Sequence, residues 1–187
     1  MQQGYLAAAI ASKVDGTALT NSTTATSLLP LGAKWTFPTE WFAAPGCAIL
    51  VKAAGRISTV VTTPGTLTLD LRLGSVVIAT SGTMVLSTTA KTNVAWTMEW
   101  LLTLRATGGG TAANFMHTGA FTSEAAGATT VAGEAKTILM PQSAPAVGTG
   151  FDETAAQQLD MFGTWSVANA SNSIQVHQFI PINLGSP

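Results

Sequence analysis

Between Thr66 and Leu73 leucine takes every odd position and a polar residue every even one, giving Thr-Leu-Thr-Leu-Asp-Leu-Arg-Leu. Side chains on an extended backbone alternate between two faces, so Leu67, Leu69, Leu71 and Leu73 share a face only if the segment is a strand; on a helix they would scatter around the axis. The period predicts a β-strand over 66–73 with its leucines buried. Turn chemistry brackets it: Thr63-Pro64-Gly65 before and Gly74-Ser75 after, where proline presets a turn dihedral and glycine accepts positive φ. With Val76-Val77-Ile78-Ala79 immediately beyond, a hairpin is predicted.

The same alternation recurs over 96–105. Trp96, Met98, Trp100, Leu102 and Leu104 fall on one parity, with Thr97, Glu99, Thr103 and Arg105 opposite, up to the break at Gly108-Gly109-Gly110. Weaker strands are predicted over 112–121, which holds Phe115 and His117, and over 137–140. Another covers 159–167, with Leu159, Met161 and Trp165 facing one way and Asp160 and Thr164 the other. A last strand covers 173–182, and its Pro181, which lacks a ladder donor, predicts that this strand ends at a sheet edge. Upstream, Ile49, Val51 and Ala53 share a parity that Gly55-Arg56 interrupts, which predicts a bulge or bend. Residues 124–133 read as a loop or poor strand, and 141–150, with two prolines and two glycines, as a mobile connection. Prolines cut Trp35-Thr-Phe37-Pro38 and Trp41-Phe42 into short pieces, and a strand is predicted to stop at Phe37.

Short strands, turns near every tenth residue and no helical periodicity together predict an all-β, antiparallel β-sandwich, with an eight-stranded jelly roll favoured over an open barrel. Residues 1–30 read as an N-terminal arm and irregular first strand, mobile until docked, and 31–187 as a single β-sandwich domain.

Composition sharpens this picture. The 187 residues are 47% hydrophobic but only 9% charged, against about a quarter charged in ordinary soluble domains. Threonine, serine, alanine and glycine must therefore cover the exterior, a surface suited to sheets and to contact with neighbouring subunits. Eight scattered basic residues and a net charge of −1 give nucleic acid no electrostatic footing. The apolar run near Met1 lacks the basic leader of a secretory signal and is too short to span a bilayer, so neither a membrane role nor export by that route is expected. A single cysteine, Cys47, cannot make an internal disulfide.

Candidate chemistry is sparse. His117 and His177 read as strand residues without a catalytic task, and Cys47 with two histidines sixty residues apart gives no zinc-ligand spacing. Asp152-Glu153 is the one carboxylate pair worth weighing for glycoside hydrolysis, but neighbours on a strand point apart, and the pair reads better as a loop tip. The glycine clusters at 108–110 and 148–150 precede no helix that could receive a phosphate. Asp70, Arg72, Glu99, Arg105 and Asp160 lie on polar strand faces as candidates for cross-strand ion pairs. Trp96, Trp100 and Trp165 share the core parity. Trp35, Phe37, Trp41 and Phe42, in the broken segment, remain as candidates for stacking on a ligand or for contacts between subunits. No enzyme, cofactor or metal is expected.

One resemblance adds to this. Phe42-Ala-Ala-Pro45-Gly46, Lys52-Ala-Ala-Gly55-Arg56-Ile57-Ser58-Thr59, Thr63-Pro64-Gly65-Thr66-Leu67-Thr68-Leu69 and Arg72-Leu73-Gly74 resemble small virion structural proteins of tailed bacteriophages. Asp15-Gly16-Thr17-Ala18-Leu19-Thr20-Asn21 and Ala168-Asn169-Ala-Ser-Asn172-Ser173-Ile174 fit the same pattern, while Cys47 stands where a basic or polar residue is expected. The resemblance implies a jelly-roll subunit on the capsid exterior, made in the host cytoplasm. It would be a homotrimeric cement or decoration protein that bridges copies of the major capsid protein. The alternative it implies is a tail- or fibre-associated module that binds a receptor or glycan.

Overall fold

The computed structural model describes residues 7–8, 10–42, 44–60, 62–127 and 133–185. The arm expected over 1–30 therefore falls outside the described residues at 1–6 and 9, and the loop expected over 124–133 does so at 128–132. In chain order the strands are β1 (Ala7–Ala8), β2 (Leu19–Thr20), β3 (Thr26–Ser27), β4 (Trp35–Phe37), β5 (Ala48–Thr59), β6 (Thr66–Leu73) and β7 (Val76–Thr80). They continue as β8 (Met84–Val85), β9 (Lys91–Ala106), β10 (Asn114–Ser123), β11 (Lys136–Met140), β12 (Ala146–Val147), β13 (Gln157–Trp165) and β14 (Ser173–Asn183). A single 3₁₀ turn, Leu31–Ala33, is the only helical element among the described residues.

Two antiparallel sheets pack as a sandwich. One runs β1-β14-β5-β9-β10-β11, with β2 also on β14 and β12 also on β10; the other runs β3-β13-β6-β7, with β4 on β13 and β8 on β6. Within the larger sheet the long strands lie in the order β14, β5, β9, β10, so the last of the four in sequence stands beside the first. The expected sandwich is thus what the chain adopts. Sheet membership alternates along the sequence, because β5 is followed in the facing sheet by β6, on which both β7 and β8 pair, before β9 returns to pair with β5.

The leucine strand is β6 with the bounds the alternation sets, and all four leucines are buried. The second alternating strand extends further than its apolar parity: β9 begins at Lys91, and its polar first turn, with Asn93 at φ 51°, pairs with the end of β5 through a register shift. Trp96, Trp100 and Trp165 are core residues. Two of their indoles are satisfied, Trp96 Nε1 donating to the Arg56 carbonyl and Trp165 Nε1 to that of Leu19, both at 3.2 Å.

Three expectations about the backbone need correction. Gly55 does not break β5, which is continuous over its 12 residues. The bulge lies in the partner strand, where His177 is the extra residue between Val176 and Gln178, and Gly55 is needed because a Cβ there would stand 1.9 Å from the Gln175 carbonyl oxygen. Residues 10–30 are not loose: Gly16 N–H donates to Val176 O at 2.8 Å, β2 pairs with β14, β3 pairs with β13, and Leu19, Leu28 and Leu29 enter the core. The segment 141–150 is likewise stitched down, with β12 on β10, Gly148 N–H on Phe115 O and Thr149 N–H on Val77 O. That last pair of contacts links the two sheets along one side. Pro181 sits in β14, which is the last long strand of its sheet, and only the short β1 and β2 cover its outer side.

Candidate functional site

The aromatics of the broken segment converge. Trp35 stands 4.2 Å from Phe37 and 5.1 Å from Trp41 by ring centroids; Phe37 lies 5.0 Å from Phe42, which meets Phe115 at 5.1 Å and Phe151 at 6.1 Å. Phe115 and Phe151 are themselves stacked at 5.1 Å. This chain of rings runs from the surface into the core at one end of the sandwich. Phe37 and Phe42 are buried within the subunit, Trp35 is half-buried, and Trp41 is the exposed member at 39%. Trp35 and Trp41 cross at 88°, edge against face, so they form a corner and not a flat platform on which a sugar ring could lie.

The carboxylate pair 152–153 sits beside that end, and both members serve the loop. Asp152 Oδ1 accepts from Thr154 Oγ1 at 2.6 Å and Thr154 N–H at 2.9 Å, and the Thr154 hydroxyl, followed by the Gly110 backbone amide, holds the Asp152 carboxyl below its usual range. Glu153 fixes the broken segment through its carbonyl, which accepts Glu40 N–H at 2.9 Å. Among the described residues no group of three or more His, Cys, Asp or Glu is placed to hold a metal, and no helix is long and apolar enough to cross a membrane.

The histidines go to different places. His117 points inward from β10, buried, with Trp100 edge-on at 6.4 Å; neither His117 Nδ1 nor Trp100 Nε1 has a hydrogen-bond partner among the described residues, and burial pushes the His117 pKa down. His177, turned outward by the bulge, joins two elements: Arg56 Nε donates to its Nε2 at 2.8 Å, and its Nδ1 lies 2.7 Å from Asp15 Oδ1. That arrangement needs a neutral ring protonated on Nδ1.

Ion pairs use most of the polar-face charges singled out from sequence. Lys52 and Glu99, directly opposite each other on β5 and β9, pair at 2.6 Å. Asp160 pairs with Lys34 at 2.7 Å while its other oxygen accepts from Ser27 Oγ, and Arg72 reaches Asp70 at 3.2 Å with its guanidinium 4.1 Å over the Phe162 ring. Lys34 and Ser27 have no periodic signal in sequence, so their meeting with Asp160, more than a hundred residues away, is visible only in the fold.

The outer face of the eight-stranded sheet is the remaining surface of note. Ile182, Leu50 and Leu101 stand side by side across β14, β5 and β9 in direct register, with Leu101 and, further along, Leu139 exposed. Next to this row a groove of about 470 Å³ crosses four strands on two adjacent rungs. One rung is Ile180, Lys52, Glu99 and Ala120; the other is Gln178, Ala54, Thr97 and Thr122. Small side chains at Ala54, Thr97 and Ala120 make the floor, which sequence alternation marks only as outward-facing.

Comparison with known proteins adds little. No family model matches the chain, and no curated protein does. Among solved structures, the CBM2 module of the evolved Dit of Lactobacillus casei BL23 phage J-1 is similar at 8% identity and a TM-score of 0.33, over 82% of this chain and 69% of that one. So loose a likeness carries no argument.

Proposed function

We propose that this chain is a structural subunit of a bacteriophage virion, a trimeric cement or decoration protein on the capsid exterior that stabilises the shell by bridging capsid subunits. The observation that carries this reading is the outer sheet face: a registered row of Ile182, Leu50 and Leu101 with exposed Leu139 nearby, in a chain with only 9% charged residues. Apolar area without repelling charge favours contact with other subunits. The sequence resemblance to small virion proteins supplies the context, and binding energy spread over neighbouring subunits would be the whole of its work, with no cofactor, nucleic acid or membrane involved. A second reading places the same sandwich on a tail or fibre as a receptor- or glycan-binding module, and the groove beside the leucine row is the observation in its favour.

A cryo-electron-microscopy map of the particle of the encoding phage tests both. Density for this sandwich in three-fold clusters on the capsid surface is the expected result. Density on the tail or a fibre would establish the second reading in its place, and absence from the particle would overturn both.

A further inference from the structure

We infer that the groove over Ala54, Thr97, Ala120 and Thr122 is a binding site for a short, neutral oligosaccharide. This deepens the second reading above and does not depend on the subunit's role in a capsid.

The occupant follows from what the groove offers. Among the described residues lining it, the two charges are Lys52 and Glu99, which neutralise each other at 2.6 Å, so a net charge on the ligand gains nothing there. The floor lies on β5, β9 and β10, whose positions at the groove all have strand partners on both sides, from β14 across to β11. Their amides and carbonyls are committed to the ladder, which leaves no edge for an extended peptide to pair with. Recognition must come from side chains: Lys52 and Gln178 donate, Glu99 and Gln178 accept, and Thr97 and Thr122 do both. Thr122 already shares a hydrogen bond with Thr137 at 2.8 Å, which fixes its hydroxyl. Between these polar groups lie the methyls of Ala54 and Ala120 and the side chain of Ile180. A sugar chain matches that mixture, with C–H faces for the methyls and hydroxyls that donate and accept for the rest.

Shape argues against a second copy of the chain as the occupant. The small floor residues Ala54, Thr97 and Ala120 lie beside the longer, paired side chains of Lys52 and Glu99, with Leu50 and Leu101 on the next rung beyond, and Arg56 follows Ala54 on the same face of β5. A flat sheet face held off by those longer side chains would leave space over the alanines, whereas a thin chain fills it. The trough crosses four strands, roughly 15 Å at about 4.8 Å per spacing, which suits an oligosaccharide better than a single sugar. Among the described residues no aromatic ring lines it, so the affinity expected is millimolar.

The test is amide chemical-shift mapping by NMR on the full chain with N-acetylchitotriose, cellotriose and maltotriose as probes. At least one probe should shift residues 52–54, 97–99, 120–122 and 178–180 in a saturable way. Ala120→Leu, which fills the floor from the outward face, should leave the rest of the spectrum unchanged and weaken that binding at least tenfold; Ala54→Leu should repeat the result from the neighbouring strand. No saturable shift with any of the three probes, shifts centred on Trp35 and Trp41, or full binding by both filled variants would overturn the site. Each of those failures would leave the capsid reading standing, since that reading is judged on the particle.

Discussion

Trp100 shows what alternation fixes and what it leaves out. Its parity places it in the core, where it is fully buried, but only the fold brings it against His117 and over Gly119, where a Cβ would stand 2.6 Å from its ring. Trp100→Ala should destabilise the protein by about 3–5 kcal/mol and Leu69→Ala by about 2–5 kcal/mol in chemical denaturation, because each leaves a cavity in a packed interior. A loss under about 0.5 kcal/mol at either site would contradict the assigned face. His117 was legible as a strand residue, and its inward aim was not, since Phe115 and Phe121 of the same parity alone hint at it. The consequence is a pH dependence. Burial lowers the His117 pKa in the folded state below its ordinary 6.5, so below that value the unfolded chain takes up a proton that the folded chain resists. Stability is therefore complete above about pH 6.5 and falls as the pH drops toward the lowered folded value. Urea midpoints measured from roughly pH 7.5 down to pH 5 should decline, and His117→Gln should flatten the decline. An unchanged slope in that variant would assign the effect elsewhere.

Strand β6 was readable because one face is leucine and both ends are turn residues; the short strands were not, because two-residue pairings such as β2 on β14 and β12 on β10 leave no period to read. The N-terminal segment illustrates the cost of that. Its Ala, Thr and Ser content suggests an arm, yet Gly16 lets it cross so close to Leu28 that a Cβ would lie 1.8 Å from that carbonyl oxygen. Asn172 tells the same story: it reads as a turn residue and is a buried clamp, donating to Pro64 O at 2.8 Å and accepting from Val60 N–H at 2.9 Å. Two consequences can be measured. Asp160→Ala strands Lys34 without its partner and removes the acceptor for Ser27, so it should cost about 3–5 kcal/mol, as expected for breaking a largely buried pair; a loss close to that of an exposed pair, under about 1 kcal/mol, would show that the network holds β3 and β4 to β13 only weakly. Gly55→Ala pushes against backbone and not a movable side-chain tip. It should speed amide hydrogen exchange along 174–178 in β14, and unchanged exchange there would refute the close approach.

For the molecule as a whole, fold class was legible and sheet order was not. Strand parity, turn spacing and the absence of helical periodicity suffice for an antiparallel sandwich, whereas sheet order depends on pairings between distant segments such as β5 with β14 and β6 with β13. The four aromatics proposed from sequence as a contact or stacking surface divide in the fold: Phe37 and Phe42 plug the end of the core, and Trp41 with part of Trp35 remains for a partner. The outer sheet face, where Leu50, Leu101 and Ile182 align, was hidden because the three lie on strands far apart in sequence, and only register sets them side by side. The proposed shell-bridging role rests on self-association, since it would draw its function from contacts with copies and neighbours. Sedimentation equilibrium of the full chain at micromolar concentration tests it directly. A species with the mass of three chains is the predicted result, and a strictly monomeric one across that range would contradict both the trimer and the cement role.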